Sequence, residues 1–474
     1  MNAPFSILVL SGFGFVVGSL IVACNDASTQ APSKRLFLLT CDTLRADRLG
    51  AYGYDRPVSP NLDALADQSL LFERAYSSAA STVPAMSSLL SGRLPDEIGV
   101  SGGNQTLMHP GFVTLAELAG EAGLATGAIV SNWVLRRQPG RSDAGVSQGF
   151  GFYDDRMDQM EGVRAVPERR GDSTTLAATK WLRDRKRLGE DNFFLWVHYQ
   201  DPHGPYDPSA QDLDLLQREA ADAPAEETQT VKLGTNTSGK RQIPDYQIID
   251  GEARPFFYLD RYDAEIRTFD RALGKLLDEI RSLGWFDNSL ILFTADHGES
   301  LGENDYWFCH GQSLSDEVVR VPLIVRFPND EKLVGQRRKA IASHLDIFPT
   351  VAEFLGSNPS SDYGVSLRED PAEQRALFQN CGQLDTRRRH VAIIQNGWRL
   401  VVPAGSVQPQ LFDLESDSSA LTDIAEANPE LTESLQQALE AFEAQLTHAP
   451  SIINRAPNER DEELLRSLGY AGDE

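Results

Sequence analysis

The stretch Leu36-Phe-Leu-Leu-Thr40 is a short apolar run that predicts a buried β-strand, and Cys41-Asp42-Thr43 follows it directly. Two later runs repeat this arrangement: Phe193–Tyr199 leads into Gln200-Asp201-Pro202-His203, and Ser289–Thr294 leads into Ala295-Asp296-His297-Gly298-Glu299. Ligands in open α/β sheets bind just outside the carboxyl ends of the strands. Three strands that each end in acidic or imidazole side chains therefore predict one shared site at that edge of a sheet.

Segments with strand-like and helix-like patterns alternate over the first two thirds of the chain. Pro60 opens a helical stretch, residues 115–122 predict a helix before the strand Thr126–Val130, and Tyr262–Leu283 carries apolar side chains at helical spacing. Pro322–Phe327 is a further apolar run. This alternation predicts an α/β fold with a mixed, largely parallel sheet flanked by helices.

Two regions depart from the alternation. Residues 209–252 are polar and acidic, which predicts a surface insertion, with a mobile flap over the site as one interpretation. Further on, Val391–Val402 predicts a hairpin that turns at Asn396-Gly397, and Asn428-Pro429 predicts a helix start. We therefore expect a large α/β domain (35–335), a smaller C-terminal α+β subdomain (336–448) and a polar tail (449–474).

The charge balance limits the classes of partner. The 474 residues include 44 Lys and Arg against 69 Asp and Glu, a formal net charge of −25. No basic field is available to recruit nucleic acid, so that class is excluded. An anionic substrate would need a local positive centre, for which a metal ion is the natural candidate. The adjacent Asp296-His297 pair suits zinc or manganese better than calcium, which stays open.

The amino terminus predicts export. Residues 5–23 contain no charged side chain, and Ile21-Val22-Ala23-Cys24 resembles the lipobox of bacterial lipoproteins. We expect a signal peptide over residues 1–24 and a linker over 25–34. No Lys or Arg precedes Lys34, so an ordinary signal peptide and an uncleaved anchor also stay open. Each alternative puts the catalytic part in the periplasm or on a bacterial membrane, with membrane contact only through this segment.

Several linked motifs resemble the sulfatase family of the alkaline phosphatase superfamily. They are Asp42-Thr-Leu-Arg-Ala-Asp-Arg-Leu-Gly-Ala-Tyr-Gly53, Ser59-Pro-Asn-Leu-Asp-Ala-Leu-Ala66, Asp201-Pro-His-Gly-Pro-Tyr206, Phe293-Thr-Ala-Asp-His-Gly-Glu299 and Arg320-Val-Pro-Leu-Ile324. The resemblance spans roughly residues 35–474 in unbroken order and implies an alkaline phosphatase-like sheet and ester hydrolysis.

One position departs from the family pattern. Sulfatases of this family carry Cys-x-Pro-x-Arg, whose Cys is oxidised to formylglycine, whereas this chain has Thr82-Val-Pro84-Ala-Met86. Threonine cannot become formylglycine, and relatives in the superfamily use Thr directly as the nucleophile. Pro84 favours a helix start, which would place Thr82 at a positive helix end suited to a tetrahedral anion. An ordinary N-cap is the alternative role for this residue.

The resemblance also implies the roles of individual residues. The implied first metal site consists of Asp42, Thr82, Asp296 and His297. The second tier consists of His203 and His310, which bind the substrate's oxyanion or a second metal, with Asp201 as a further ligand. We expect one metal site and leave the second open.

Two other polar residues lie near these motifs. Arg45 could clamp an anion, or could pair with Asp47 or another acidic side chain. His198 lies inside a predicted strand, so we expect it to face the core and leave it out of the site.

The expected function is hydrolysis of a phosphate mono- or diester of a small molecule or glycan, with Thr82 as a metal-activated nucleophile beside His203 and His310. A phosphoryl-group transferase of the cell envelope and a sulfatase that works without formylglycine are the enzymatic alternatives. A non-catalytic envelope protein that binds anionic glycans is the alternative from another class. The retained Asp42, Asp296 and His297 argue against it, because a binding module needs no metal cradle.

Overall fold

The computed structural model describes residues 33–100, 106–137, 144–160, 167–219, 221–357, 362–372, 375–382, 389–406, 408–417, 419–450 and 452–453. The predicted signal peptide with Cys24, most of the linker and most of the polar tail lie outside these residues. From Lys34 onward the chain forms one compact unit. Among the described helices, none combines the length and the apolar character needed to cross a membrane.

The strands are, in chain order, β1 (Arg35–Cys41), β2 (Leu70–Tyr76), β3 (Thr106–Leu107), β4 (Ala125–Val130), β5 (Phe152–Asp154), β6 (Gln159–Met160), β7 (Pro167–Glu168), β8 (Phe193–Tyr199), β9 (Leu290–Ala295), β10 (Ser300–Leu301), β11 (Trp307–Cys309), β12 (Arg320–Arg326), β13 (Arg337–Arg338), β14 (Ala342–Ser343), β15 (Ala376–Gly382), β16 (Arg389–Gln395), β17 (Trp398–Val402), β18 (Gln410–Asp413) and β19 (Ile452–Ile453).

The α-helices are α1 (Pro60–Asp67), α2 (Thr82–Ser91), α3 (Leu115–Glu121), α4 (Gly171–Leu188), α5 (Ala210–Leu216), α6 (Ala225–Thr228), α7 (Pro255–Ser282), α8 (Asp316–Val319), α9 (Ile347–Leu355) and α10 (Pro429–Glu443).

The central sheet has the strand order β13-β2-β12-β9-β1-β8-β4-β5, with β14 also beside β2. Strands β9, β1, β8, β4 and β5 run parallel, and β12 is antiparallel to both of its neighbours. Strands β1, β8 and β9 are buried along their whole length, as their continuous apolar runs predict. The predicted mixed, largely parallel α/β sheet is confirmed. The sheet continues past residue 335, because β13 and β14 pair with β2.

A separate antiparallel sheet of β15, β16, β17 and β18 forms the C-terminal part. The predicted hairpin is confirmed as β16 and β17, with Asn396 and Gly397 both at positive φ in its turn. One face of this sheet packs on α10 through Ile393, Leu400 and Leu411, and the other contributes to a cluster that includes side chains of the catalytic region.

The insertion at residues 209–252 packs against β11, which follows the central strand β9 in the chain. Ile243 and Gln247 are buried within it, and the hydroxyl of Tyr246 donates to the carbonyl of Phe308 over 3.1 Å. Gly204 approaches the insertion so closely that a Cβ there would lie 1.8 Å from Nε2 of Gln247. The insertion therefore borders the segments that carry His203 and His310; its mobility stays a prediction.

Candidate active site

The register of the central strands brings the predicted site residues to one edge. Cys41 lies opposite both Tyr199 of β8 and Ala295 of β9, so Asp42 and Asp296 leave the sheet side by side. The backbone N–H of Asp296 donates to the carbonyl of Cys41 over 3.1 Å, which ties the two strand ends together. Asp42 and Asp296 are fully buried.

Helix α2 delivers Thr82 to the same edge. Thr82 is the first residue of this helix, as the sequence predicts, and the preceding Ser81 occupies the N-cap position. Thr82 is fully buried, and its Oγ1 lies 3.4 Å from Nε2 of His297. The hydroxyl therefore stands at the positive end of a ten-residue helix and faces the imidazole.

His297 joins the acidic side chains to Thr82. Its Nε2 lies 3.5 Å from Oδ2 of Asp296 and 3.8 Å from Oδ1 of Asp42. Its Nδ1 lies 2.9 Å from the carbonyl oxygen of Gly298, and because a carbonyl only accepts, Nδ1 carries the hydrogen. The Nε2 lone pair is thereby directed at the two carboxylates and the Thr82 hydroxyl, the arrangement of a metal ligand.

Gly298 permits the turn that holds His297. A Cβ at this position would lie 2.2 Å from the carbonyl oxygen of Glu317. The backbone N–H of Gly298 donates to the carbonyl of Val318 over 2.7 Å. The turn after β9 is therefore pressed against α8, and a side chain at residue 298 would force the turn and α8 apart.

The structure adds His198 to the site, which the sequence assigned to the core. His198 is fully buried, but its Nε2 lies 3.6 Å from Oδ2 of Asp42 and has no hydrogen-bond partner among the described residues. Ligand atoms of Asp42, His198 and Asp296 all lie within 4.8 Å of one another. Strand periodicity could have identified His198 as a site residue. It pairs with Thr40 on the neighbouring strand, and Thr40 shares a face of the sheet with Asp42, two residues further on. His198 therefore lies directly beneath Asp42.

Two further histidines complete a cluster of three rings. The ring of His310 lies 4.5 Å from that of His297 and 5.2 Å from that of His203, measured between centroids. Nδ1 of His203 lies 2.7 Å from the carbonyl oxygen of Gly204, and Nδ1 of His310 lies 3.1 Å from Oε1 of Glu299. The structure thus brings both second-tier histidines to the first-site residues.

Asp201 and Arg45 have different surroundings. The carboxyl of Asp201 lies at the start of α4. Burial raises its pKa, and the charge of Arg170 and a hydrogen bond from the backbone of Gly171 offset part of that rise. Arg45 pairs with Asp47 at 2.7 Å and with Glu303 at 2.8 Å. These contacts match the second of the two roles predicted for Arg45, in which it pairs with acidic side chains rather than clamping an anion.

The electrostatics of the cluster favour a divalent cation. Burial raises the pKa of Asp42 to about 6, and burial together with the neighbouring Asp42 raises the pKa of Asp296. Burial also lowers the pKa of His198 to about 4, so this imidazole is neutral at pH 7. A cation favours both the ionised carboxylates and the neutral imidazoles. Oδ2 of Asp296 and Nε2 of His198, both without a hydrogen-bond partner in the described part of the chain, are suitable donors.

Comparison with known proteins decides the family. The family model Sulfatase matches residues 34–357, more than half of the chain. The chain belongs to the sulfatase family. A curated relative, the N-acetylgalactosamine-6-O-sulfatase of Bacteroides thetaiotaomicron, is 24% identical and the match covers 89% of this chain and 96% of that protein.

Solved structures support the same fold for this sulfatase-family protein. A protein solved in complex with its substrate D-glucosamine-2-N,6-O-disulfate superposes with a TM-score of 0.70 at 21% identity, over 88% of this chain and 98% of the other. The phosphonate monoester hydrolase of Silicibacter pomeroyi superposes with a TM-score of 0.69 at 19% identity, over 88% and 96%. These structures show the shared fold, and the family model identifies the chain as a hydrolase of the metal-dependent sulfatase family.

The departure from the sulfatase pattern has a structural counterpart. Met86, at the position where the family motif has Arg, is fully buried and belongs to the main hydrophobic core with Val83, Leu89 and Leu90. Thr82 and Met86 both lie on α2, so both departures from the family motif fall within this one helix.

Proposed function

We propose that this sulfatase-family protein hydrolyses phosphate mono- or diesters, with Thr82 as the nucleophile. The observation that carries the proposal is the position of Thr82 Oγ1, 3.4 Å from Nε2 of His297 at the amino end of α2. No thiol precursor of formylglycine stands at this position, so the hydroxyl is the group that can attack.

A divalent cation would be held by Asp42, Asp296 and His297, with Thr82 and His198 beside them. The donor set of two carboxylates and two imidazoles favours zinc or manganese over calcium, which prefers oxygen ligands. When bound, the ion lowers the pKa of the Thr82 hydroxyl and offsets negative charge on the transferred group.

The chain's own residues then perform two displacements. In the first, Thr82 gives up its hydroxyl proton as Oγ1 attacks phosphorus and a new P–O bond forms; the bond to the leaving alcohol breaks and the alcohol's oxygen takes up one proton in exchange. In the second, water attacks the phosphorus of the Thr82 phosphoester, the P–Oγ1 bond breaks, one proton of that water returns to Oγ1, and inorganic phosphate or a monoester leaves. The positive end of α2 stabilises the charge on the non-bridging oxygens, and His203 and His310 flank the group being transferred.

The nucleophile favours phosphorus over sulfur. A formylglycine hydrate can expel sulfate by collapsing to the aldehyde, whereas a sulfated Thr82 has no such exit and needs attack at sulfur. A phosphorylated Thr82 can be released by water at phosphorus. If an alcohol replaces water in the second step, the same site becomes a phosphoryl-group transferase.

Sulfate ester hydrolysis is the second candidate function, and the curated relatives favour it. The relative that matches 89% of this chain is named as a sulfatase of a 6-O-sulfated amino sugar, which supports a sulfated small molecule or glycan as substrate. This candidate keeps the same metal ligands and the same attacking hydroxyl, and it differs only in the atom attacked.

The experiment is a substrate panel on the zinc- or manganese-loaded full-length protein. Nitrophenyl phosphate, bis-nitrophenyl phosphate, nitrophenyl phenylphosphonate and nitrophenyl sulfate are compared by kcat/KM. We expect a phosphorus ester to be turned over faster than the sulfate. The Thr82→Ala variant should lose roughly 1,000-fold or more in kcat, whereas Thr82→Ser should stay within about tenfold because it keeps the hydroxyl.

Metal content and the thermal transition of both variants serve as controls for folding. Wild-type turnover that persists in Thr82→Ala would exclude this residue as the nucleophile. A preference for the sulfate ester would favour the second candidate, and absence of turnover with every ester would favour the binding protein.

A further inference from the structure

We infer that Gln247 is a positioning residue for both second-tier histidines, His203 and His310. It lies in the insertion at residues 209–252, within a short 3-10 turn, and is fully buried. Its side chain stands between the two segments that carry the histidines. The inference deepens the proposed function and rests on it for the effect on turnover, whereas the placement of the two segments is tested without any substrate.

On one side, Gln247 holds the backbone that leads to His310. Its Nε2 lies 3.4 Å from the carbonyl oxygen of Phe308, and the hydroxyl of Tyr246 donates to the same oxygen over 3.1 Å. A carbonyl only accepts, so the amide nitrogen of Gln247 faces it as a donor. Phe308 has a φ of 45°, a conformation that a bulky side chain keeps only where its surroundings hold it. Two buried donors therefore hold a strained residue just before His310.

On the other side, Gln247 lies against the backbone that orients His203. A Cβ at Gly204 would lie 1.8 Å from Nε2 and 2.4 Å from Oε1 of Gln247, so the amide fills the space of a side chain at residue 204. The carbonyl oxygen of Gly204 lies 2.7 Å from Nδ1 of His203. A displacement of Gly204 therefore moves the acceptor against which this imidazole is placed.

Backbone pairing fixes the insertion to the segment before His310. The N–H of Trp307 donates to the carbonyl of Gly239 over 2.9 Å, and the N–H of Arg241 donates to the carbonyl of Asp305 over 2.7 Å. A Cβ at Gly239 would lie 2.5 Å from the carbonyl oxygen of Trp307, so the two chains approach too closely for a side chain there. Gln247 therefore acts from a support that is itself bonded to the segment it positions.

The two histidines share one support because their rings pack on each other. The ring centroids of His203 and His310 lie 5.2 Å apart, although the two residues come from distant parts of the chain. A side chain that contacts both backbones sets the separation of the two rings. In the proposed function both rings flank the transferred group, so this separation decides whether both reach it.

The kinetic experiment compares Gln247→Met with the zinc-loaded wild type. Methionine keeps the length of the side chain but cannot donate to Phe308. We expect kcat to fall about 10- to 100-fold, since a small displacement of groups that contact the transferred group is costly. Gln242→Met is the matched control. Gln242 is also buried in the insertion, but its amide bonds to Asn236 and Ser238 of the insertion itself, so its kcat should stay within about twofold of the wild type.

Hydrogen–deuterium exchange, followed by mass spectrometry, gives a readout that needs no substrate. In Gln247→Met we expect faster exchange in the peptides that cover residues 203–206 and 305–310. In Gln242→Met we expect faster exchange within the insertion and wild-type exchange in those two peptides. Wild-type exchange of both peptides in Gln247→Met would overturn the inference, even if no ester is turned over. Equal losses of kcat in the two variants would overturn it as well.

A double variant tests the contact with Gly204. We expect Gly204→Ala to reduce kcat about tenfold in the wild type, because its Cβ meets the amide of Gln247, but less than about twofold in a Gln247→Ala background, where that space is open. Equal losses in both backgrounds would overturn the inference. Metal content is measured for each variant, because loss of the ion would reduce kcat by itself. Activity that survives Thr82→Ala would instead contradict the proposed nucleophile alone.

Discussion

At the residue scale, the orientation of His198 depends on a chain of hydrogen bonds beneath the site. Trp196 Nε1 donates to Thr40 Oγ1 over 2.9 Å, and Thr40 Oγ1 lies 2.9 Å from Nδ1 of His198. An indole N–H only donates, and the Thr40 hydroxyl donates its own hydrogen to the carbonyl of Val197 over 3.4 Å, which leaves one oxygen lone pair to accept from Nδ1. That tautomer leaves the Nε2 lone pair towards Asp42 and Asp296, where it can bind a cation.

We therefore predict that His198→Ala weakens metal binding by about 10- to 100-fold, since it removes a nitrogen donor and leaves the two carboxylates facing each other. Competition titration of zinc against a chromophoric chelator measures the change. His109→Ala, in a half-buried turn outside the cluster, is the control and should bind as the wild type does. An unchanged zinc affinity in His198→Ala would place His198 outside the metal shell.

Part of this site is predictable from sequence at the residue scale. Asp42, Asp296 and His297 follow apolar runs directly, so their place at a strand end can be read from local order. His198 lies inside such a run, and only the pairing with Thr40 reveals its neighbours. Arg45 pairs with its near neighbour Asp47, as one of its two alternatives predicts, whereas its second partner Glu303 is 258 residues away and leaves no local pattern.

At the element scale, an ion pair connects the edge of the central sheet to the start of α4. Asp154 ends the short edge strand β5, and Arg169 precedes α4; their side chains meet at 2.6 Å and both are about 4% exposed. Burial would raise the pKa of Asp154, but hydrogen bonds from Arg156 and Arg169 hold it well below its usual range. The three-residue strand has no apolar run to predict it, so this connection was not predictable from the sequence.

The sign of the pH dependence follows from that shift. Because the pKa of Asp154 is lower in the folded state, its stabilisation is complete above the unfolded pKa of about 4 and is lost as pH falls towards the folded value. We predict that Asp154→Asn lowers the free energy of unfolding by about 2 kcal/mol at pH 7 and by less at pH 3.5. Urea denaturation at the two pH values measures it, and an equal loss at both would contradict the ion-pair account.

Longer elements were predicted more successfully, because many residues share one pattern. The helix predicted over Tyr262–Leu283 is α7, but it begins earlier, at Pro255, since Phe256 and Leu259 are also buried and extend the apolar face. Its first residue is a proline, which lacks the N–H that the first turn would leave unsatisfied. A periodic apolar pattern therefore locates the middle of a helix, whereas the positions of its ends depend on tertiary packing.

At the scale of the whole molecule, the C-terminal sheet is joined to the catalytic region by a buried charge. Arg399 of β17 is fully buried and lies 3.2 Å from Asp316 of α8, and it also donates to the carbonyl of Leu314. The sequence motifs predict both the catalytic region and the C-terminal subdomain. They do not predict the contact between Arg399 and Asp316, because residues 83 apart leave no local pattern. The contact matters for the site because α8 also supplies the carbonyls that press on Gly298.

We predict that Arg399→Ala lowers the free energy of unfolding by about 3–5 kcal/mol, since it leaves Asp316 buried without its partner on β17. Urea denaturation measures this loss. Arg399→Met with Asp316→Leu should recover much of it, because two apolar side chains of similar volume need no pairing. Arg74→Ala, a half-buried arginine near the same junction, is the control and should cost less than about 1 kcal/mol.

If α8 transmits the change, Arg399→Ala also lowers kcat, because the turn that carries His297 loses its support. A stable Arg399→Ala protein with wild-type kcat would show that the two parts fold and act independently of this contact.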